Sequence, residues 1–254
     1  LQQHSQLNKK FNCGEFVSVN TNDFSYVLCP GSMPEQSDLK VYNEIFTCWK
    51  DVWSTTFTEL NVTKQLFSDA FTRQDYIGAL YYKNTCFALA FYRWADATRS
   101  DFSNDSYFSN WSPEHQKALC SRGNNIIVCS QFTVHPFGRG SNLGVSGKDL
   151  LMGIIVETYM NSNADAMTGA VRVDRGVNGA GERWGAYVID RKVPCDFGEK
   201  NTDLIALFKD HINQHAKHPL DNVVKEIWNN RLVLQRKSIG TEFVKSKKST
   251  QKVA

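Results

Sequence analysis

Proline is scarce in this chain: six residues in 254, beside only four methionines. No apolar run approaches the ~20 residues that a membrane-crossing helix needs. No internal repeat or long linker is visible. No two of the seven cysteines (Cys13, Cys29, Cys48, Cys86, Cys120, Cys129, Cys195) are spaced Cys-x-x-Cys. Each absence excludes something. An odd cysteine count cannot form a complete disulfide framework, and without paired spacing a cysteine zinc site is not expected. Buried free thiols in a reducing cytoplasm fit better. The first six residues, Leu-Gln-Gln-His-Ser-Gln, are polar, so no signal peptide is expected. What is present is ordinary for a globular chain: 41% hydrophobic and 22% charged residues. Intrinsic disorder, collagen and a disulfide miniprotein are thereby excluded for the whole chain. Aromatics are plentiful at 12%, with 16 Phe, 9 Tyr and 6 Trp. That number suits a thick core or an apolar pocket.

Charge is nearly balanced, with 29 Lys+Arg against 26 Asp+Glu. The excess sits at the end. Between Gln235 and Ala254 six bases (Arg236, Lys237, Lys245, Lys247, Lys248, Lys252) face one acid, Glu242. That segment reads as a basic, flexible tail.

Periodicity places the elements. An alternating stretch at Glu15–Val19 reads as a strand. Glu35–Leu60 carries Leu39, Tyr42, Ile45, Phe46, Trp49, Val52 and Trp53 at helical spacing. A short helix is expected at Thr63–Thr72, and a hairpin from Tyr76–Leu80 and Cys86–Tyr92 around Tyr82-Lys83-Asn84-Thr85. Asp101–Pro113 is polar and aromatic and reads as a surface loop; its rings suggest an apolar lid. Asn125–Val134 is the clearest core strand, ended by His135-Pro136. Then come a glycine-rich turn, a helix at Lys148–Asn161, and a strand at Ala166–Val173. A short helix follows within Arg175–Glu182, with strands at Gly185–Asp190 and Leu204–Phe208. His211–Leu234 reads as mostly helical, broken near Pro219. The order implies α/β (α+β) in one domain.

The most informative segment is Gln131 to Leu151, where a strand runs through a glycine-rich turn into a helix. Glycines allow backbone N–H groups to face a ligand, and the helix start adds four unpaired N–H groups and a favourable dipole. Such a turn suits a pyrophosphate. Gly147-Lys148-Asp149 is not a phosphate-binding P-loop, and no dinucleotide-binding glycine pattern opens the first helix.

Val134-His135-Pro136, Arg139-Gly140, Gly144, Gly147 and Leu150-Leu151 resemble the central motif of the GNAT superfamily of N-acetyltransferases. Val177-Asn178 and Trp184-Gly185-Ala186-Tyr187 resemble that family's later Asn…Gly-Phe motif. The resemblance spans roughly residues 10–210. It implies a mixed, mostly antiparallel central sheet flanked by helices. It also implies an acyl thioester held in a splay between the central strand and the next one. The implied donor-binding residues are Phe132, Thr133, Val134, Arg139, Gly140, Gly144, Gly147 and Lys148. Backbone N–H groups near Phe132 to Val134 would bind the thioester oxygen. Asn142 stands where the family has Gln or Arg, and Val145 where it has its first Gly. These departures look more like the branch that takes long acyl chains from acyl-carrier protein and makes N-acyl amino acids; acyl-homoserine-lactone synthases share that donor. An acidic carrier would meet Arg139, Lys148, Arg172, Arg175 and the tail.

Amide formation needs a positioned thioester, a deprotonated amine and a stabilised oxyanion. His135 has the pKa class for an amine base at neutral pH, and Glu157 is a second candidate. Arg93 and Arg172 lie in strand-like apolar contexts and could clamp an acceptor carboxylate by a bidentate fork; the alternative is simple salt bridging with Asp96 or Asp174. His211, His215 and His218, four and three apart, share a face if the helix continues, but a solvated helix end is the expectation and no metal is assigned. The chain is expected to comprise an acyltransferase domain at 1–210, a C-terminal helical extension at 211–234, and the tail at 235–254. The expected activity is acyl transfer from acyl-carrier protein or acyl-CoA to a primary amine or amino acid, with no permanently bound cofactor. Nucleic acid is not an expected partner. The alternatives are a conventional acetyl-CoA enzyme and a non-catalytic acyl-binding protein.

Overall fold

A computed structural model describes residues 19–63, 65–139, 143–194 and 201–237. Gly140, Asn142, Cys13, Cys195, most of the strand expected at 15–19 and the tail beyond 237 lie outside them.

The first strand, β1 (Phe24–Pro30), leads to α1 (Leu39–Glu59), a short α2 (Asp69–Thr72), and a hairpin of β2 (Tyr76–Tyr82) and β3 (Thr85–Asp96). Its two-residue turn puts Lys83 at φ 55, the left-handed geometry that tight hairpins use. Next come α3 (Pro113–Leu119), β4 (Asn125–Val134), α4 (Gly147–Met160), β5 (Ala166–Arg172) and α5 (Val177–Arg183). The chain then forms β6 (Tyr187–Pro194), β7 (Asn201–Leu207), α6 (Lys209–Gln214), α7 (Asp221–Asn229) and β8 (Leu232–Val233). The eight strands make one sheet in the order β6-β7-β5-β4-β3-β2-β1-β8. All neighbours are antiparallel except β4 with β5 and β1 with β8. The fold is thus the mixed, mostly antiparallel, helix-flanked sheet that the resemblance implies.

Strand alternation sorts the core. Ile127 joins the cluster under α4, α5 and α7, whereas Ile126 and Val128 join the cluster beneath residues 102–120. α1 covers β1 to β3 on that second face through Ile45, Cys48 and Trp49. α4 is buried almost all round. Gly153 permits this, because a Cβ there would stand 2.6 Å from both Trp184 and Val224. Gly147 does the same at the other end of the helix: its Cβ would lie 2.4 Å from the Gly138 carbonyl oxygen.

Three expectations change. The helix expected at 63–72 is confined to Asp69–Thr72. The stretch 211–234 breaks around Pro219 as expected, with α6 stopping at Gln214 and α7 starting after Pro219, but its end is not helical: β8 returns to pair with β1. Leu220, Val224, Ile227 and Trp228 join the core cluster that holds α4. The expected boundary at 210/211 falls inside α6. Finally, the rings of 101–113 form no lid. Phe102, Phe108 and Trp111 are buried against Ile126, Val128, Leu204 and Ala206, with the polar residues of the segment turned outward. No helix among the described residues is long and apolar enough to cross a membrane.

Candidate functional site

The parallel pair at the centre of the sheet is short. Only Ile126–Val128 pairs with Ala166–Thr168, although β4 runs on to Val134 and β5 to Arg172. Beyond that point the strands part. A cavity of about 520 Å³ opens there. One wall is Gln131, Phe132 and Val134 of β4; the other is Ala170, Val171 and Arg172 of β5. Val52, Trp53 and Thr56 of α1 close one side, and Ser146, Gly147 and Lys148 at the start of α4 form the rim with Gly138 and Arg139. Asp174, Arg175 and Val177 complete it.

The inner walls are largely apolar and the rim is cationic. Arg139 donates from Nε to the Val134 carbonyl at 2.7 Å. Burial, with the Arg175 charge beside it, pulls its pKa below the usual arginine value. Arg175 is ion-paired to Glu59 at the end of α1, and its carbonyl accepts from Lys148 Nζ at 3.4 Å. Four basic side chains thus line the cavity against one acid, Asp174. Ser146 caps α4 by accepting from the Asp149 N–H at 3.3 Å.

The structure brings six of the expected donor and acceptor residues to this one cavity: Phe132, Val134, Arg139, Gly147, Lys148 and Arg172. Gly144 adopts φ 66 with open space around it and does not line the wall. Gly147 does line it, but its missing side chain is needed for the contact with Gly138. Thr133 stands behind the wall, 1% exposed; its hydroxyl accepts from Trp53 Nε1 at 2.9 Å and donates to the Gln131 carbonyl at 2.6 Å. Arg172 forks onto both oxygens of Asp174 at 3.0 and 2.7 Å.

Three expected residues are elsewhere. Arg93 pairs with Asp105 at 2.7 Å and borders a separate cavity of about 340 Å³, because its strand position faces Val128, on the closed side of the split. Glu157 sits ten residues after Gly147 on α4, bonded to Asn161 and in the field of Lys225 and Asp221 of α7; burial raises its pKa. His135 donates its backbone N–H to Phe87, and its Nδ1 accepts the Phe137 N–H at 3.2 Å. That hydrogen bond ties Nδ1 to the turn that follows, and His135 is not among the residues lining the cavity. His135→Ala should therefore cost about 1 kcal/mol, the worth of one hydrogen bond. Turnover at pH 7 should stay within about three-fold, whereas loss of a true general base costs about 100-fold or more.

Burial pushes the Cys129 thiol up to about 12, which keeps it protonated beside the split. The three histidines part company once α6 ends: His211 bonds the Gly185 carbonyl, and His218 stacks on Trp184 with ring centres 4.3 Å apart. Among the described residues no three His, Cys, Asp or Glu side chains converge as metal ligands. Reading the sequence assigned no site role to Trp53, Thr56 or Gln131, and named Asp174 only as a salt-bridge partner for Arg172, a pairing the structure has. The two α1 residues scan as helix periodicity, and nothing local shows that this helix end faces the splay.

No family profile and no curated protein matches the chain. Solved structures similar to it include FeeM, an N-acyl amino acid synthase from uncultured soil microbes (10% identity, TM-score 0.45, 66% of this chain and 85% of that one). The AHL synthase LasI is similar at 16% identity and TM-score 0.37, over 63% and 73% of the two chains. A GNAT-family acetyltransferase from Streptococcus agalactiae is similar at 7% identity and TM-score 0.44, over 73% and 95%. At these scores the cavity itself has to carry any functional reading.

Proposed function

We propose that this chain is an N-acyltransferase that moves an acyl group from a thioester donor to a primary amine. One observation supports the reading above the others: an apolar cavity opens where β4 and β5 part, and its rim is cationic at the start of a helix. A thioester donor has that same polarity. Its acyl end is apolar, and its carrier end bears phosphate. The acyl chain would lie against Val52, Phe132, Val134 and Val171, and the phosphate near Arg139, Lys148 and Arg175. In the transfer the amine nitrogen forms a bond to the acyl carbon, the carbon–sulfur bond breaks, and the proton lost by the amine ends on the departing thiolate.

An amino-acid acceptor suits Arg172 and Asp174. They line the cavity together, 13% and 35% exposed, and offer opposite charges to a zwitterion's carboxylate and ammonium. Acyl-carrier protein is the preferred donor. The α4 cap already engages one helix-start N–H, and half-buried Lys148 and exposed Arg175 stand where an acidic protein surface can meet them.

Purified protein incubated with acetyl-CoA, palmitoyl-CoA or acyl-carrier protein and mixed amino acids, then assayed by mass spectrometry, tests this. An N-acyl amino acid formed from the carrier-bound donor is the expected product. Product from free acyl-CoA alone would replace the carrier preference. Saturable acyl binding with no amide from any donor would make the chain an acyl-binding protein.

A further inference from the structure

The innermost cavity wall is a fault in the sheet. Leu89 pairs with Thr133 and Phe91 with Ser130, so Gln131 and Phe132 stand opposite the single residue Ala90. Such a bulge leaves a residue's peptide groups outside the ladder and bends the strand. Here it has a second unusual feature: Gln131 sits at φ 52, in the left-handed region, without being glycine. A side chain there is strained relative to ordinary backbone, so something must hold it.

Two indoles from α1 do. Trp49 Nε1 donates to Gln131 Oε1 at 3.1 Å, and Trp53 Nε1 donates to Thr133 Oγ1 at 2.9 Å. Thr133 Oγ1 in turn donates to the Gln131 carbonyl at 2.6 Å, closing a chain from helix to bulge. The spacing is matched. Four residues of helix rise about 6 Å, and two residues of strand advance about 6.6 Å. Trp49 and Trp53 therefore meet Gln131 and Thr133 in register. Trp49 is also locked among Phe46, Phe71 and Phe91, with ring centres 5.5 to 5.7 Å away. The helix cannot slide without breaking an aromatic cluster.

We propose that Trp49 and Trp53 are positioning residues, which fix the β4 bulge through Gln131 and Thr133 and so aim its peptide groups at the reacting carbonyl. This rests on the acyl-transfer reading. The interaction acts on orientation rather than on holding the donor. Its loss should appear in kcat while the donor KM stays nearly constant.

The test uses Thr133→Val, which keeps the shape and removes the acceptor, with Thr133→Ser as rescue. Gln131→Leu and Gln131→Glu form the second pair. Thr133→Val and Gln131→Leu are each expected to lower kcat about 30-fold or more, with KM within about three-fold, as a misplaced reacting centre does. Serine and glutamate should restore most of it. Gln131→Gly sharpens the result, because glycine accepts φ 52 without strain. It should keep or raise the melting temperature and still lose kcat. Wild-type kcat in Thr133→Val and Gln131→Leu, with only stability reduced, would overturn the proposal and leave the acyltransferase reading intact. No amide formed by the wild-type protein in the same series would overturn both.

Discussion

Arg139→Ala combined with Arg175→Ala is expected to raise the KM for an acyl thioester donor by about 100-fold or more. Charge-assisted hydrogen bonds contribute about 1.5–3 kcal/mol each. The lower figure applies here, because the Arg175 side chain is 45% exposed and already shares charge with Glu59. Two such contacts give about 3 kcal/mol, a little over two decades in affinity. Arg139 also supports the end of β4 through the Val134 carbonyl. Arg139→Lys is therefore the control: it keeps charge and loses the planar fork. Steady-state kinetics against donor concentration checks the prediction. The loss should be larger at low ionic strength, and larger for a carrier-bound donor than for a truncated acyl-pantetheine lacking the protein. A KM unchanged by the double substitution would remove phosphate or acidic-surface recognition from this rim.

The second large effect concerns stability. Trp228→Ala should lower the unfolding free energy by about 3–5 kcal/mol, the usual consequence of deleting a buried Trp ring. For a chain of this length that is a fall of about 10 °C in melting temperature. Trp228 is 6% exposed, its ring centre is 5.6 Å from that of Tyr26, and the Arg231 guanidinium lies 4.1 Å from its ring. Its helix packs on α4, which supplies the cavity rim, so donor binding should weaken along with stability. Thermal and denaturant unfolding measure this. A change within about 0.5 kcal/mol, typical of surface substitutions, would mean that residues 211–234 are an appendage after all.

Locally specified features were legible in the sequence. The hairpin was visible from the apolar runs Tyr76–Leu80 and Cys86–Tyr92 on either side of Tyr82-Lys83-Asn84-Thr85, and the structure extends its second strand to Asp96. The strand, glycine turn and α4 were visible from residues that neighbour one another in the chain. Six residues near that turn or on β5 do meet at the cavity. What was not legible depends on long-range registration. Arg93 and Arg172 look alike in sequence, each an arginine in an apolar strand. They go to different cavities because Arg93 faces Val128 below the point where β4 and β5 part, and Arg172 lies beyond it. The role of Trp53 is set by where α1 crosses the sheet, which periodicity cannot reveal. The 102–111 rings were misplaced for a related reason. Their polar neighbours mark a surface segment, but that segment covers a sheet face that would otherwise be open. His135 keeps the position expected at the strand end, and its ring is engaged by the turn that Pro136 begins.

The central claim is that the donor's acyl chain lies between β4 and β5. Photo-crosslinking tests it most directly. Palmitoyl donors bearing a diazirine on the chain, offered on coenzyme A and on acyl-carrier protein, are irradiated with the protein, and the labelled peptides are identified by mass spectrometry. Label is predicted on residues 131–134 and 170–172 and on Val52 or Trp53 of α1, with competition by unlabelled donor. Label concentrated instead around Arg93 and Phe102, or on the outer surface without competition, would contradict it.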